Sequence, residues 1–195
     1  IFSANASAHA STLLKHHDDY VNTFKSGGSA GTVGKFVSKY AGSKGNSLKV
    51  STCASSDAYF NDAVTTTGGA EAIGQTTITV AASNVFVLRD IIKFAGHSTE
   101  YRVLTTPSGT TITIEALDQP AGTGLTSAVA SGVNIDRFWE HHGLFNKAPG
   151  KSASALAAGG SNDEIHVVVV DEDGVFTGTT NSVLETFGFL SLASD

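Results

Sequence analysis

The residues best equipped for chemistry fall in a few short runs. His16-His17-Asp18-Asp19 and Glu140-His141-His142 offer imidazoles and carboxylates, the donor types that hold zinc or iron. Helical zinc sites set two ligands three or four residues apart on one face, whereas adjacent histidines diverge by about 100°. His9 with Asp19, or the two clusters meeting in space, would be needed to complete a ligand set. The spacing favours ordinary surface or core histidines over a metal site. Asp171-Glu172-Asp173-Gly174 resembles half of a calcium loop but lacks the Asp-x-Asp-x-Asp-Gly order and the closing bidentate Glu. It is expected to be a solvated acidic turn, where carboxylates and Gly suit a chain reversal.

Gly31-Thr32-Val33-Gly34-Lys35-Phe36 departs from a phosphate-binding loop in its glycine spacing, and Phe36 stands where a magnesium-binding Ser or Thr belongs. Cys53 has no His near it in sequence to activate it, and on a predicted strand it reads as a small core residue. Phe138-Trp139 beside Glu140-His141-His142-Gly143-Leu144-Phe145 supplies flat amphipathic rings, suited to stacking on a sugar or partner, or to anchoring one part of the fold on another. These stretches contain no nucleophile, base and orienter in series and no paired catalytic carboxylates. The expectation is a protein that is not an enzyme, with no catalytic, cofactor-binding or metal-ligating residues.

Several elements would position these residues. Leu13, Leu14, His17, Tyr20, Val21 and Phe24 recur at helical spacing behind Ser11 or Thr12, predicting a helix over 11–24 that Lys25-Ser26-Gly27-Gly28 ends. Val33, Phe36, Val37 and Tyr40 suggest a second short helix within 29–40, followed by a turn at Gly42-Ser43-Lys44-Gly45-Asn46. Leu48 to Cys53 alternates like a half-buried strand. From Gln75 the texture changes to short strands about ten residues apart, at 76–80, 90–94, 100–104 and 111–114, the spacing of a small barrel or sandwich. Residues 148–161 are small and polar and read as an exposed connector. Ile165-His166-Val167-Val168-Val169-Val170 is β-branched nearly throughout, which predicts a central strand covered on both faces, with 183–187 returning beside it.

The resulting fold class is α+β and β-rich: an antiparallel sheet or sandwich body with a few short helices and an inserted small antiparallel β module. The body takes 1–74 and 136–195, and the barrel-like module takes 75–135. The composition agrees, with 21 Gly and only 3 Pro among 195 residues favouring short strands and tight turns. One cysteine permits no intrachain disulfide, which fits assembly in a reducing cytoplasm. A net charge of −6, with the twelve Lys and Arg scattered singly, argues against nucleic-acid binding. No apolar run is long enough to span a bilayer and no signal-peptide pattern opens the chain, so it is expected to be soluble and not secreted. Ile1 in place of Met, and the apolar stretch before Leu192-Ala193-Ser194-Asp195, suggest an internal segment of a longer polypeptide.

Asn162-Asp163-Glu164 through Val175-Phe176-Thr177-Gly178, followed by Ser182-Val183-Leu184-Glu185-Thr186-Phe187, resembles the tail sheath proteins of contractile, myovirus-type bacteriophages. A second stretch, Phe36 to Val50, is similar to the sheath pattern in which a Tyr-Pro-Gly-like turn and a Gly-Asn step precede a strand, with Ala41 replacing the proline. The two lie in family order. The resemblance implies a virion structural subunit, assembled in the host cytoplasm, that polymerises as a helical homo-oligomer around the tail tube and contracts to drive the tube through the host envelope. It implies contacts with other sheath subunits, the tail tube protein, and baseplate and tail terminator proteins. No cofactor, nucleic acid or membrane is implied. A bacterial contractile device would use the same architecture. The rival from another class is a glycan- or host-surface-binding β module of a virion protein.

Overall fold

The computed structural model describes residues 2–3, 37–38 and 43–191. The predicted helix over 11–24, with His9, His16, His17, Asp18 and Asp19, lies outside the described residues, as does Gly31 to Phe36. Within them the protein is β-rich, with short helices and two antiparallel sheets, of three and six strands. The chain divides into two compact units, one made of Ile1–Thr52 with His166–Phe187, the other of Cys53–Ile165 with Gly188–Asp195.

The first unit opens with β1 (Phe2–Ser3) paired antiparallel to β2 (Val37–Ser38). Val37 is therefore extended, not helical; β-branched Val and backbone-competing Ser are weak helix formers, and pairing overrides the apolar spacing around them. The expected turn at Ser43 forms a single helical turn, α1 (Ser43–Asn46). Then comes β3 (Leu48–Cys53), in which Leu48, Val50 and Cys53 are buried. Its sheet has the order β11-β10-β3, where β10 is Glu164–Asp171 and β11 is Ser182–Ser191. Seven of the eight residues of β10 are buried, so both faces of this middle strand are covered, as its unbroken Val run requires.

The second unit begins with one helical turn, α2 (Ser56–Tyr59), capped by the Ser55 hydroxyl accepting from the Ala58 amide at 3.1 Å. Six strands follow: β4 (Phe60–Thr66), β5 (Thr77–Thr79), β6 (Ile91–Phe94), β7 (Glu100–Val103), β8 (Thr111–Ala116) and β9 (Asn134–Phe138). They pair in the order β4-β9-β6-β7-β8-β5. Strand pleating sends Ile92, Phe94, Tyr101, Val103, Ile112 and Ile114 to one side, where they form the core with Ile78 and Ile135. Lys93, Glu100, Arg102 and Glu115 alternate to the other side and stay partly exposed. The phenol of Tyr101, fully buried, accepts from the Thr126 amide at 3.1 Å, which satisfies its one polar atom.

The sheet curls until its edges touch. The Gly68 amide donates to Thr79 O at 2.8 Å and the Ala81 amide to Thr66 O at 2.9 Å, yet no barrel closes. The sheet is also larger than the expected 75–135 module. It recruits Phe60–Thr66, assigned by sequence to the body, because β4 pairs with β9 on both sides of a bulge between Asn61 and Thr65. That bulge breaks the alternation by which a strand is recognised. The expected connector at 148–161 likewise contains a helical turn, α3 (Ala153–Ala157), started by Ser152, whose hydroxyl accepts from the Ala155 amide at 3.1 Å.

Candidate functional site

The Asp171-Glu172-Asp173-Gly174 turn is not solvated throughout. Glu172 and Asp173 are exposed, but Asp171 ends β10 with its side chain fully buried. A carboxylate placed there must find donors, and it finds five. Ser47 Oγ donates to Oδ1 at 2.7 Å and the Val175 amide at 2.9 Å; the Phe176 amide, the Thr177 amide and Thr177 Oγ1 donate to Oδ2 at 2.8–2.9 Å. Burial alone would raise its pKa. The Ser47 hydroxyl, the Thr177 amide and hydroxyl and the Phe176 amide outweigh burial and hold it at about 2. Ser47 completes the clamp, since its Oγ accepts from the Asp173 amide at 3.2 Å and its carbonyl from the Glu172 amide at 2.7 Å. The arrangement fixes the 172–181 loop at the end of the hairpin; it leaves Asp171 no open face for a ligand.

In the second unit the run from Phe138 to Phe145 splits in several directions. Trp139 is buried, stacked on Phe145 at 5.7 Å and edge-on to His141 at 5.3 Å. Its faces are thus used internally and are not offered to a sugar. Phe60 is the exposed ring, 40 % accessible and 4.8 Å from Phe138, which in turn lies 4.8 Å from His142. Tyr59 pins the segment from below, its hydroxyl directed at the carbonyls of His142 and Phe145, both at 2.8 Å. The two histidines diverge. His142 Nδ1 donates to Trp139 O at 3.0 Å, whereas His141 Nε2 is buried 3.4 Å from Glu140 Oε1. Among the described residues no group of three or more His, Cys, Asp and Glu could hold a metal ion.

A charge cluster that sequence did not single out surrounds this segment. Arg89 Nε contacts Glu140 Oε2 at 2.5 Å, and Arg137 Nη1 lies 3.5 Å from Asp90 Oδ2. Arg137 Nη2 also donates to the Asp57 carbonyl at 2.7 Å, tying α2 to the sheet. Asp90 accepts from the Val87 amide at 2.8 Å and is buried, which pushes its pKa up to about 6 despite the Val87 amide and Arg137. The one available signal was register: Arg137 occupies the same inward phase as Ile135, an unusual place for a cation on a strand. Nearby, the β4 bulge brings Asp62 against Asp136, and their hydrogen bond raises the Asp62 pKa on the exposed face.

Cys53 is buried, with its thiol directed at Ser55 O at 3.5 Å. Burial pushes its pKa up to about 11, so it carries almost no thiolate near neutrality. No helix among the described residues is long and apolar enough to cross a membrane. No family model, curated protein or solved structure matches the chain.

Proposed function

We propose that this chain belongs to a contractile-phage tail sheath subunit, a structural protein that polymerises around a tail tube and carries no catalytic site. The observation that supports it most is the hairpin made by the sheath-like stretch 162–187. Its central strand is buried on both faces, and its loop is tied down by Asp171. A subunit that must shift as a rigid body during contraction needs elements that do not deform, and a buried strand closed by a five-bond carboxylate clamp is such an element. The test is negative-stain electron microscopy of the full-length polypeptide after overexpression. Long hollow tubes are expected; persistent monomers in the presence of tail tube would end the proposal.

The rival glycan-binding reading draws support from one feature, the exposed Phe60 ring beside Phe138. It predicts saturable signals on a glycan array that disappear in Phe60→Ala. A flat array leaves the sheath reading ahead.

A further inference from the structure

Every open sheet has two edges whose N–H and C=O groups need partners, and the two sheets of this protein treat theirs differently. The six-stranded sheet curls β4 towards β5, so that the Gly68 and Ala81 amides bond across to Thr79 O and Thr66 O. In the three-stranded sheet one edge is β3, which carries Lys49, the kind of residue that discourages pairing. The other edge is β11, bonded on one side to β10; along 183–188 no strand among the described residues lies on its other side. This strand is 10 residues long, holds neither Lys nor Pro, and has Glu185 as its one charge. Val183 and Phe187 are each 42 % accessible, and Thr186, Phe187 and Gly188 are exposed in succession, which opens both faces of the strand there.

We propose that β11 pairs antiparallel with β11 of a second copy of this chain about a two-fold axis, joining their three-stranded sheets into one continuous sheet. An edge that meets its own copy symmetrically must run antiparallel, because that ladder exchanges identical bonds in both directions. The side chains then select the register. With the axis between Glu185 and Thr186, each Glu185 lies opposite Thr186 of the other copy and each Leu184 opposite Phe187, aromatic against aliphatic. Val183 covers Gly188, which has no side chain of its own. The two Glu185 carboxylates point to opposite faces of the joined sheet, whereas an axis passing through Glu185 would set them directly against each other. Phe189, at φ +56°, leaves the extended conformation and ends the regular ladder. This contact closes on itself after two copies, unlike the propagating contacts of a tube wall, so it stands or falls separately from the sheath reading.

Sedimentation velocity of the chain over a concentration series tests the pairing. Monomer and a single dimer in reversible exchange are expected. Alternate amides within 183–188, those facing the new ladder, should exchange more slowly with deuterium as the dimer fills. Thr186, exposed on the monomer, gives a test by sign of charge. Thr186→Glu sets like charges opposite each other twice and should raise the dissociation constant about tenfold; Thr186→Lys faces Glu185 of the other copy and should lower it. Ile73→Glu and Ile73→Lys, at a position 69 % accessible outside β11, should match the wild type. A chain that stays monomeric overturns the proposal, as does a series of species growing past the dimer. Equal dissociation constants for Thr186→Glu and Thr186→Lys, or the same difference between the Ile73 variants, overturn it too. Should the Thr186 variants not fold, exchange in the wild type decides: slowing at alternate amides of 183–188 supports the pairing, and slowing only elsewhere overturns it.

Discussion

Asp171 and Ser47 are 124 positions apart, yet together they fix the end of β10. Removing the hydroxyl would leave Oδ1 with only the Val175 amide among its present donors and strip the Asp173 amide of its acceptor. Ser47→Ala should therefore cost about 1–3 kcal/mol, seen as a lower denaturant midpoint at unchanged slope. A shift within about 0.5 kcal/mol would show that water replaces the hydroxyl at no loss and that Ser47 is no clamp. Cys53 offers a second test at this scale. With its thiol buried and its pKa at about 11, it should resist iodoacetamide at pH 8 until denaturant is added. Fast labelling of the native chain would mean that β3 opens locally. Neither Ser47 nor Asp171 was legible as a partner in the sequence, because nothing local reports a contact at that separation. An Asp at the end of a Val run looks the same whether it turns outward to water or inward to donors.

At the scale of elements, the turn between β10 and β11 depends on Gly174. Its φ is +75°, and an added Cβ would lie 2.9 Å from the Thr179 carbonyl carbon and the Thr180 nitrogen, both backbone atoms that cannot swing aside. Gly178, at φ +80°, has open space around its missing Cβ. Gly178→Ala should cost only the left-handed penalty of about 1–2 kcal/mol, and Gly174→Ala distinctly more. Equal midpoint shifts in the two variants would refute the packing account of the loop. Strands whose faces differ were readable in advance. β3, β6, β7, β8 and β10 lie within about two residues of where alternation or a β-branched run placed them, since burial of one face or both writes itself into the sequence. β4 was not, because its bulge and its exposed residues erase the period. The one-turn helices α1, α2 and α3 were missed for another reason: they are too short for periodicity, and only a capping Ser marks two of them.

For the molecule as a whole, buried carboxylates give the two units different pH dependences, the first losing stability only in acid and the second already as pH rises above 4. In the first unit, Asp171 titrates at about 2, below its unfolded value near 3.9, so its contribution is complete above about pH 4 and is lost as pH falls through 2. In the second, Asp90 titrates at about 6, so its contribution is complete below about pH 4 and is lost as pH rises through 6. Asp163 of the second unit, held at about 2 by the Ser152 and Ser191 hydroxyls and the Ser152 amide, adds an acid limb there as well, but only below pH 4. The window from pH 5 to pH 7 therefore separates the units. Trp139, the single tryptophan, is buried in the second unit and reports on it by fluorescence. Its unfolding free energy should drop by about 1 kcal/mol between pH 5 and pH 7. Exchange of the Val168 amide in β10, corrected for intrinsic rates, should show no change in stability over that window and should accelerate only below pH 4. A tryptophan-reported stability that rises towards pH 7 would mean that the Arg137 pairing outweighs the burial of Asp90. The ion cluster at the entrance to β6 would then act as a neutral-pH brace that stabilises the sheet.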